Sequence, residues 1–158
     1  MNGGGSGRRW PCGCSSCAGR HSAEHLNYLI DCPAAACRYY RLLKNGGQRG
    51  YFLLNSVGGQ CRIIAVQIDS GDRRDWRSAY RASARAAAEL ATTCEVTVAS
   101  ALPWLSEILE QDGFRKRGEK PIMLYDPGEH LTGAAPLHVQ PIDSDAFFLY
   151  SKSYPFVT

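Results

Sequence analysis

Glycine punctuation divides the first half of the chain into three strand-like runs. Tyr39 to Lys44 ends at Asn45-Gly46-Gly47, Gly50 to Asn55 ends at Gly58-Gly59, and Cys61 to Asp69 ends at Ser70-Gly71. Asn-Gly and Gly-Gly between β-rich runs signal tight hairpin turns, so the three runs are expected to form an antiparallel meander. In the third run Ile63, Ile64, Ala65, Val66 and Ile68 leave almost no polar face. That pattern suits a central strand covered on both sides.

Beyond Gly71 the period changes. Trp76, Ala79, Ser83, Ala86, Ala87 and Leu90 recur near helical spacing, which predicts a helix from about Asp72 to Leu90. Its inner face is rich in small residues, so it can sit close to a sheet. Arg77, Arg81, Arg85 and Glu89 recur every four residues as a solvated stripe. Cys94 to Ala99 then reads as a strand, with Val96 and Val98 on one face. Strand, helix, strand in this order implies a parallel right-handed crossover. A second helix is expected from Leu102 to Asp112, with Ser100 as its cap, Pro103 in its first turn and Gly113 as the left-handed residue after it. A short helix from Ser22 to Ile30, capped by Ser22 and stopped by Pro33, precedes the meander. Pro121 to Tyr125 and Ala146 to Tyr150 complete the pattern as a terminal hairpin around a long loop. The fold class is mixed α/β, a mixed sheet with helices on its faces. Residues 1–21 read as a flexible lead-in and residues 22–158 as one domain.

Composition narrows the function classes. In 158 residues the formal net charge is +3 and charged residues make up 21%. With no long Lys/Arg block, a dedicated nucleic-acid binder is not expected. No apolar run reaches the length of a membrane span. The opening MNGGGSGRRWPCGCSSCAGR has no apolar core of a secretory signal, so the expected location is the cytoplasm. The seven cysteines, an odd number, then read as reduced thiols, with Cys61 and Cys94 as small buried hydrophobes. Cys12, Cys14, Cys17, His21, His25, Cys32 and Cys37 are of the type that binds tetrahedral zinc, but their spacing matches no paired CxxC arrangement, and no metal site is assigned. His138, Asp143 and Asp145 lie in the long loop, where a lone histidine reads as structural or solvated.

The element order, together with "LPWLSEILEQDGFRKRGEKPIMLY", in which a helix ends in Gly-Phe before a last strand pair, resembles the GNAT superfamily of N-acyltransferases over roughly Ala23 to Tyr150. It is most similar to uncharacterised bacterial domains of that kind, and the family's first strand and helix have no counterpart here. The resemblance implies a GNAT-like sheet whose strands before and after the crossover helix part to admit the pantetheine arm of acetyl-CoA or another acyl-CoA. It places Ile68, Asp69, Gly71, Arg73, Arg74, Arg77, Val96, Val98 and Ser100 around that coenzyme, and implies acyl transfer to a small amine. Partners then include the amine and, given the missing elements, an N-terminal half or a second copy.

Two readings of "SGDRRDWR" stay open. In one, free N–H groups at the helix start and Arg73, Arg74 and Arg77 hold the diphosphate. In the other, Asp72 and Asp75 turn inward as capping acids. The family loop carries more glycine than this one, and the tyrosine that many members place four residues before Gly-Phe is Leu109 here. Glu95 and Tyr125 are the candidate catalytic base and acid. The alternative to catalysis is a non-catalytic GNAT-like structural or interaction module.

Overall fold

The computed structural model describes residues 21–31, 36–90, 93–119, 127–128 and 138–143. A four-stranded sheet runs in the order β1 (Ala36–Lys44), β2 (Gly47–Val57), β3 (Gln60–Ile68), β4 (Glu95–Val98). The first three strands form an antiparallel meander, and β4 lies parallel to β3. Helices α1 (Ala23–Asp31), α2 (Arg73–Ala88) and α3 (Pro103–Gln111) complete the mixed α/β architecture, with a short 3-10 turn at Pro141–Asp143. The expected terminal hairpin lies outside the described residues, as do Tyr125 and the cysteines at 12, 14, 17 and 32.

Both hairpin turns depend on their glycines. Lys44 faces Gly47 across a two-residue turn in which Asn45 and Gly46 have φ of 53° and 77°. Val57 faces Gln60 across Gly58 and Gly59, at 55° and 84°. Positive φ at both central positions gives the twist that matches the flanking strands.

The two faces of the sheet carry separate cores. On one, Phe52, Leu54, Cys61, Ile63, Val66 and Ile68 pack against Ala79, Tyr80 and Ala87 of α2 and Leu105 and Leu109 of α3. On the other, Leu53, Ile64 and Ala65 pack against Leu26 of α1. The nearly all-apolar β3 is therefore covered on both sides. Its alternation is broken once: Ile64 and Ala65, adjacent in sequence, both face α1. A bulge causes this, because Leu53 pairs with Ala65 and Leu54 with Ile63, leaving Ile64 without an opposite residue. A bulge bends its strand and increases the local twist.

The helix ends are fixed locally. Ser22 caps α1 by accepting from the His25 N–H at 3.1 Å. At the end of α3, Phe114 N–H donates to Leu109 carbonyl and Gly113 N–H to Glu110 carbonyl, with Gly113 at φ 94°. This is a Schellman closure, and it folds Phe114 onto the core. The expected cap at Ser100 is corrected. Leu102 is the N-cap of α3, without a side-chain bond, and the Ser100 hydroxyl instead bonds the N–H and carbonyl of Leu102. Cys61 is fully buried as expected, whereas Cys94, one residue before β4, is exposed.

Gly50 sits between Leu42 and Ile68 in the sheet. A Cβ there would lie 2.2 Å from the Gln67 carbonyl oxygen and 2.8 Å from Ile68 Cγ2. The first of these is backbone and cannot swing away. Gly50→Ala is expected to destabilise the fold by about 1–3 kcal/mol through overpacking, read as a lower urea midpoint. An unchanged midpoint would refute this account of the β2–β3 spacing.

Candidate functional site

The parallel pair β3 and β4 is short. Gln60 faces Glu95, Cys61 faces Val96, Arg62 faces Thr97 and Ile63 faces Val98, and there the pairing ends. β3 continues to Ile68, while the chain after Val98 turns away toward α3. The bulge at Ile64 comes immediately after the last shared position, so it bends β3 where its neighbour leaves. From Ile63 to Ile68, over about 16 Å, β4 no longer pairs with that edge of β3.

At the far end of this opening lies the start of α2. Asp72 is its N-cap, and its carboxylate accepts from the Arg74 N–H at 2.8 Å. The Ser70 hydroxyl donates to Asp75 Oδ2 at 2.7 Å and accepts from Asp72 N–H at 3.1 Å. Lys44 reaches the other oxygen of Asp75 at 3.1 Å. These bonds from Ser70 and Lys44 hold the Asp75 carboxyl below its usual range. The Trp76 indole N–H donates to the Ser70 carbonyl at 2.9 Å, which fastens the turn to the helix. The α2 mouth is therefore capped by the Asp72 carboxylate, as the capping reading expects, whereas Asp75 bonds Ser70 and Lys44 instead of capping the helix.

The three arginines divide. Arg73 lies over the Trp104 ring at 5.4 Å from its centroid, and Arg74 stays exposed. Arg77 is turned toward α3: its Nε lies 2.9 Å and its Nη2 2.5 Å from Asp112 Oδ1. The hydrogen bonds from Arg77 hold the Asp112 carboxyl below its usual range, and the same contact raises the Arg77 guanidinium. Arg77 is thus a tie between the two helices rather than part of a solvated stripe.

Of the other expected coenzyme contacts, Ile68 is buried at the end of β3, and Asp69 and Gly71 are exposed beside it. Val96 and Val98 are half-buried against the α2–α3 core. Ser100 lies just past β4. The structure therefore gathers Ile68, Asp69, Gly71 and Arg73 at one end of β3, with Val98 at the point of parting. Glu95 is not brought there. It stands at the opposite end of β4, three residues before Val98, or about 10 Å along the strand. Its carboxylate is taken by Arg117 at 2.5 Å and by the Gln60 amide at 2.9 Å. Tyr125 lies outside the described residues. Leu109 is buried in the core.

What the sequence reading missed is the segment 138–143. Gln140, only 6% exposed, accepts from the Val66 N–H through Oε1 at 2.6 Å. Because that N–H is not used by β2, it points into the space that β4 has left. On the α2 face His138 meets the Trp76 ring edge-on at 5.1 Å, with its Nε2 3.5 Å from the Tyr80 hydroxyl. Burial lowers the His138 pKa, opposed in part by Asp143, and raises that of the Tyr80 phenol. Both groups are neutral at pH 7. On the α1 face Ile142 packs onto the Leu26 cluster, and Asp143 approaches His21 at 3.4 Å. The segment crosses the sheet edge from one core to the other through the opening.

Two shallow hollows, of about 330 and 540 Å³, lie beside α3 and at its C-terminal end. Neither is lined by a residue of β3. Among the described residues, no group of three or more His, Cys, Asp or Glu is placed to hold a metal ion. No described helix is long and apolar enough to cross a membrane. Compared with family models, curated proteins and solved structures, the chain matches none of them.

The Arg77–Asp112 contact gives a pH prediction. Asp112→Asn keeps the shape but loses the charge, so its urea midpoint at pH 7 is expected below that of the parent. A carboxyl held low in the fold stabilises above its unfolded value near 3.9 and loses that contribution as pH falls through its folded value. The gap between the two proteins should shrink from about pH 4 downward. A gap of equal size at pH 7 and pH 2.5 would show that the charge of Asp112 contributes nothing.

Proposed function

We propose that this chain is a GNAT-like, acyl-CoA-dependent N-acyltransferase that receives the coenzyme arm in the opening between β3 and β4. The observation that carries this reading is the parting of the two parallel strands after Ile63 and Val98, beside the start of α2. The chemistry of the opening suits an amide-bearing arm. Val66 N–H already bonds a carboxamide oxygen there, that of Gln140. A coenzyme amide carbonyl presents the same acceptor to the same donor.

In this reading the thioester carbonyl lies near Val96 to Val98, where a backbone N–H polarises it. The acceptor amine attacks that carbon directly. The new C–N bond forms, the C–S bond breaks, and the amine proton passes to the departing thiolate. Backbone donors act here by charge stabilisation, which needs no side-chain base. The diphosphate end fits less well, because Asp72 occupies the α2 mouth with its own negative charge. Binding there requires the Asp72 carboxylate to turn out, leaving Arg73 and Arg74 as the nearby cations.

A second reading, a non-catalytic GNAT-like module, is favoured by two observations. Glu95 is engaged by Arg117 and Gln60 at the wrong end of β4, and Leu109 is buried where many family members carry a tyrosine. In that reading the outer edge of β1 is the surface for another chain or a second copy.

Calorimetric titration with acetyl-CoA separates these readings from failure of the resemblance. Saturable binding with a dissociation constant below about 1 mM is expected. Thiol release in the presence of small amines then identifies the transferase, and binding without release identifies the inactive module. No heat up to millimolar acetyl-CoA at two temperatures would overturn the proposal.

A further inference from the structure

We propose that the segment 138–143 is a built-in occupant of the coenzyme slot, so that the arm of an acyl-CoA enters only when Gln140 lets go of Val66. This rests on the acyl-CoA reading and adds a regulatory step to it. A central strand that loses its neighbour halfway must find another partner for its buried N–H groups. Here the partner is a side chain. Val66 is fully buried, and the Gln140 carboxamide is the acceptor, 74 residues away in sequence.

The hold is local and self-contained. Gln140 N–H donates to Asp143 Oδ2 at 2.8 Å, and Asp143 N–H donates to the Gln140 carbonyl at 2.9 Å. This closed turn presents the carboxamide to Val66. The flanking contacts are the His138 ring at the Trp76 edge with its Nε2 near the Tyr80 hydroxyl, Ile142 on the α1-side core, and Asp143 3.4 Å from His21. A strand in place of this segment would pair with β3 residue by residue. Among the described residues, the segment instead meets the β3 backbone through a side chain, at Val66, and acts as a plug rather than a fifth strand. The coenzyme arm competes for the same donor, and its apparent affinity is reduced by the fraction of molecules in which the plug is seated.

The test compares the parent protein with Gln140→Ala in titrations with acetyl-CoA and with pantetheine, which lacks the nucleotide. Removal of one hydrogen bond from the seated state is expected to tighten binding of both by roughly three- to tenfold. Equal affinity in parent and variant would overturn the plug while leaving the acyl-CoA reading intact. Absence of binding in both would overturn the two together. Should the variant fail to fold, the parent alone decides through its NMR signals. Acetyl-CoA is expected to shift the side-chain amide of Gln140 toward its solvent-exposed position and to perturb the Trp76 indole. An unmoved Gln140 amide at saturating acetyl-CoA would overturn the plug.

Discussion

The arrangement turns on one backbone requirement: β3 is buried on both faces, so each of its N–H and C=O groups must find a partner within the protein. β2 serves one side along nearly the whole strand. On the other side β4 serves only as far as Ile63. Leaving a buried amide unbonded costs more than a made bond contributes, on the order of 1–3 kcal/mol. That asymmetry governs the second half of β3, where Gln140 supplies the missing acceptor to Val66. The bulge at Ile64 is part of the same device. It turns β3 away from the line of β4 and resets which side chains face which helix, so both cores stay filled across the parting.

The start of α2 shows the same economy of partners. A helix N-terminus presents free N–H groups and a partial positive charge. Asp72 satisfies it from within, Asp75 is shared between Ser70 and Lys44, and Arg77 is drawn off to Asp112. Of the charges that a phosphate would use, Arg77 is thus engaged with Asp112, while Arg73 lies over Trp104 and Arg74 is exposed. Lys44 ends the first hairpin strand and Asp112 caps α3, so these contacts join β1, α2 and α3 around one turn. An anion entering here exchanges existing ion pairs for new ones, and most of these are partly exposed contacts that are individually weak.

Much of the fold was legible because its signals are local. Asn45-Gly46 and Gly58-Gly59 specify tight turns whatever surrounds them, and Gly113-Phe114 closes α3 through its own backbone. The apolar run from Ile63 to Ile68 announces a strand covered twice. The Ile64 bulge was not legible, because an unbroken apolar run hides a shift of alternation that a polar residue on the wrong face would reveal. The role of Ser100 was misjudged because a serine two residues upstream of the actual N-cap satisfies the same local pattern. Arg77 fitted the i, i+4 stripe of α2, and nothing in that stripe indicated that Asp112 would claim it. Gln140 carried no signal at all. A glutamine before a proline reads as loop, and its importance comes only from the strand edge that lies beside it.

This contrast bears on how the site is to be understood. The residues named from the resemblance, Ile68 to Arg77 and Val96 to Ser100, are set by element order, and the structure gathers Ile68, Asp69, Gly71 and Arg73 of them at one end of β3. Their chemistry is set by long-range partners that element order does not encode. Asp112 decides what Arg77 does, Arg117 decides what Glu95 does, and Gln140 decides whether the Val66 amide is available. A parted strand pair is a property of the backbone, whereas the bond that occupies the Val66 amide beside it is made by a single side chain, the Gln140 carboxamide. On the proposed acyl-CoA reading, affinity for the coenzyme changes at position 140 with the sheet left as it is, and what fills the opening sets whether the scaffold is a binding cleft or a closed structural unit.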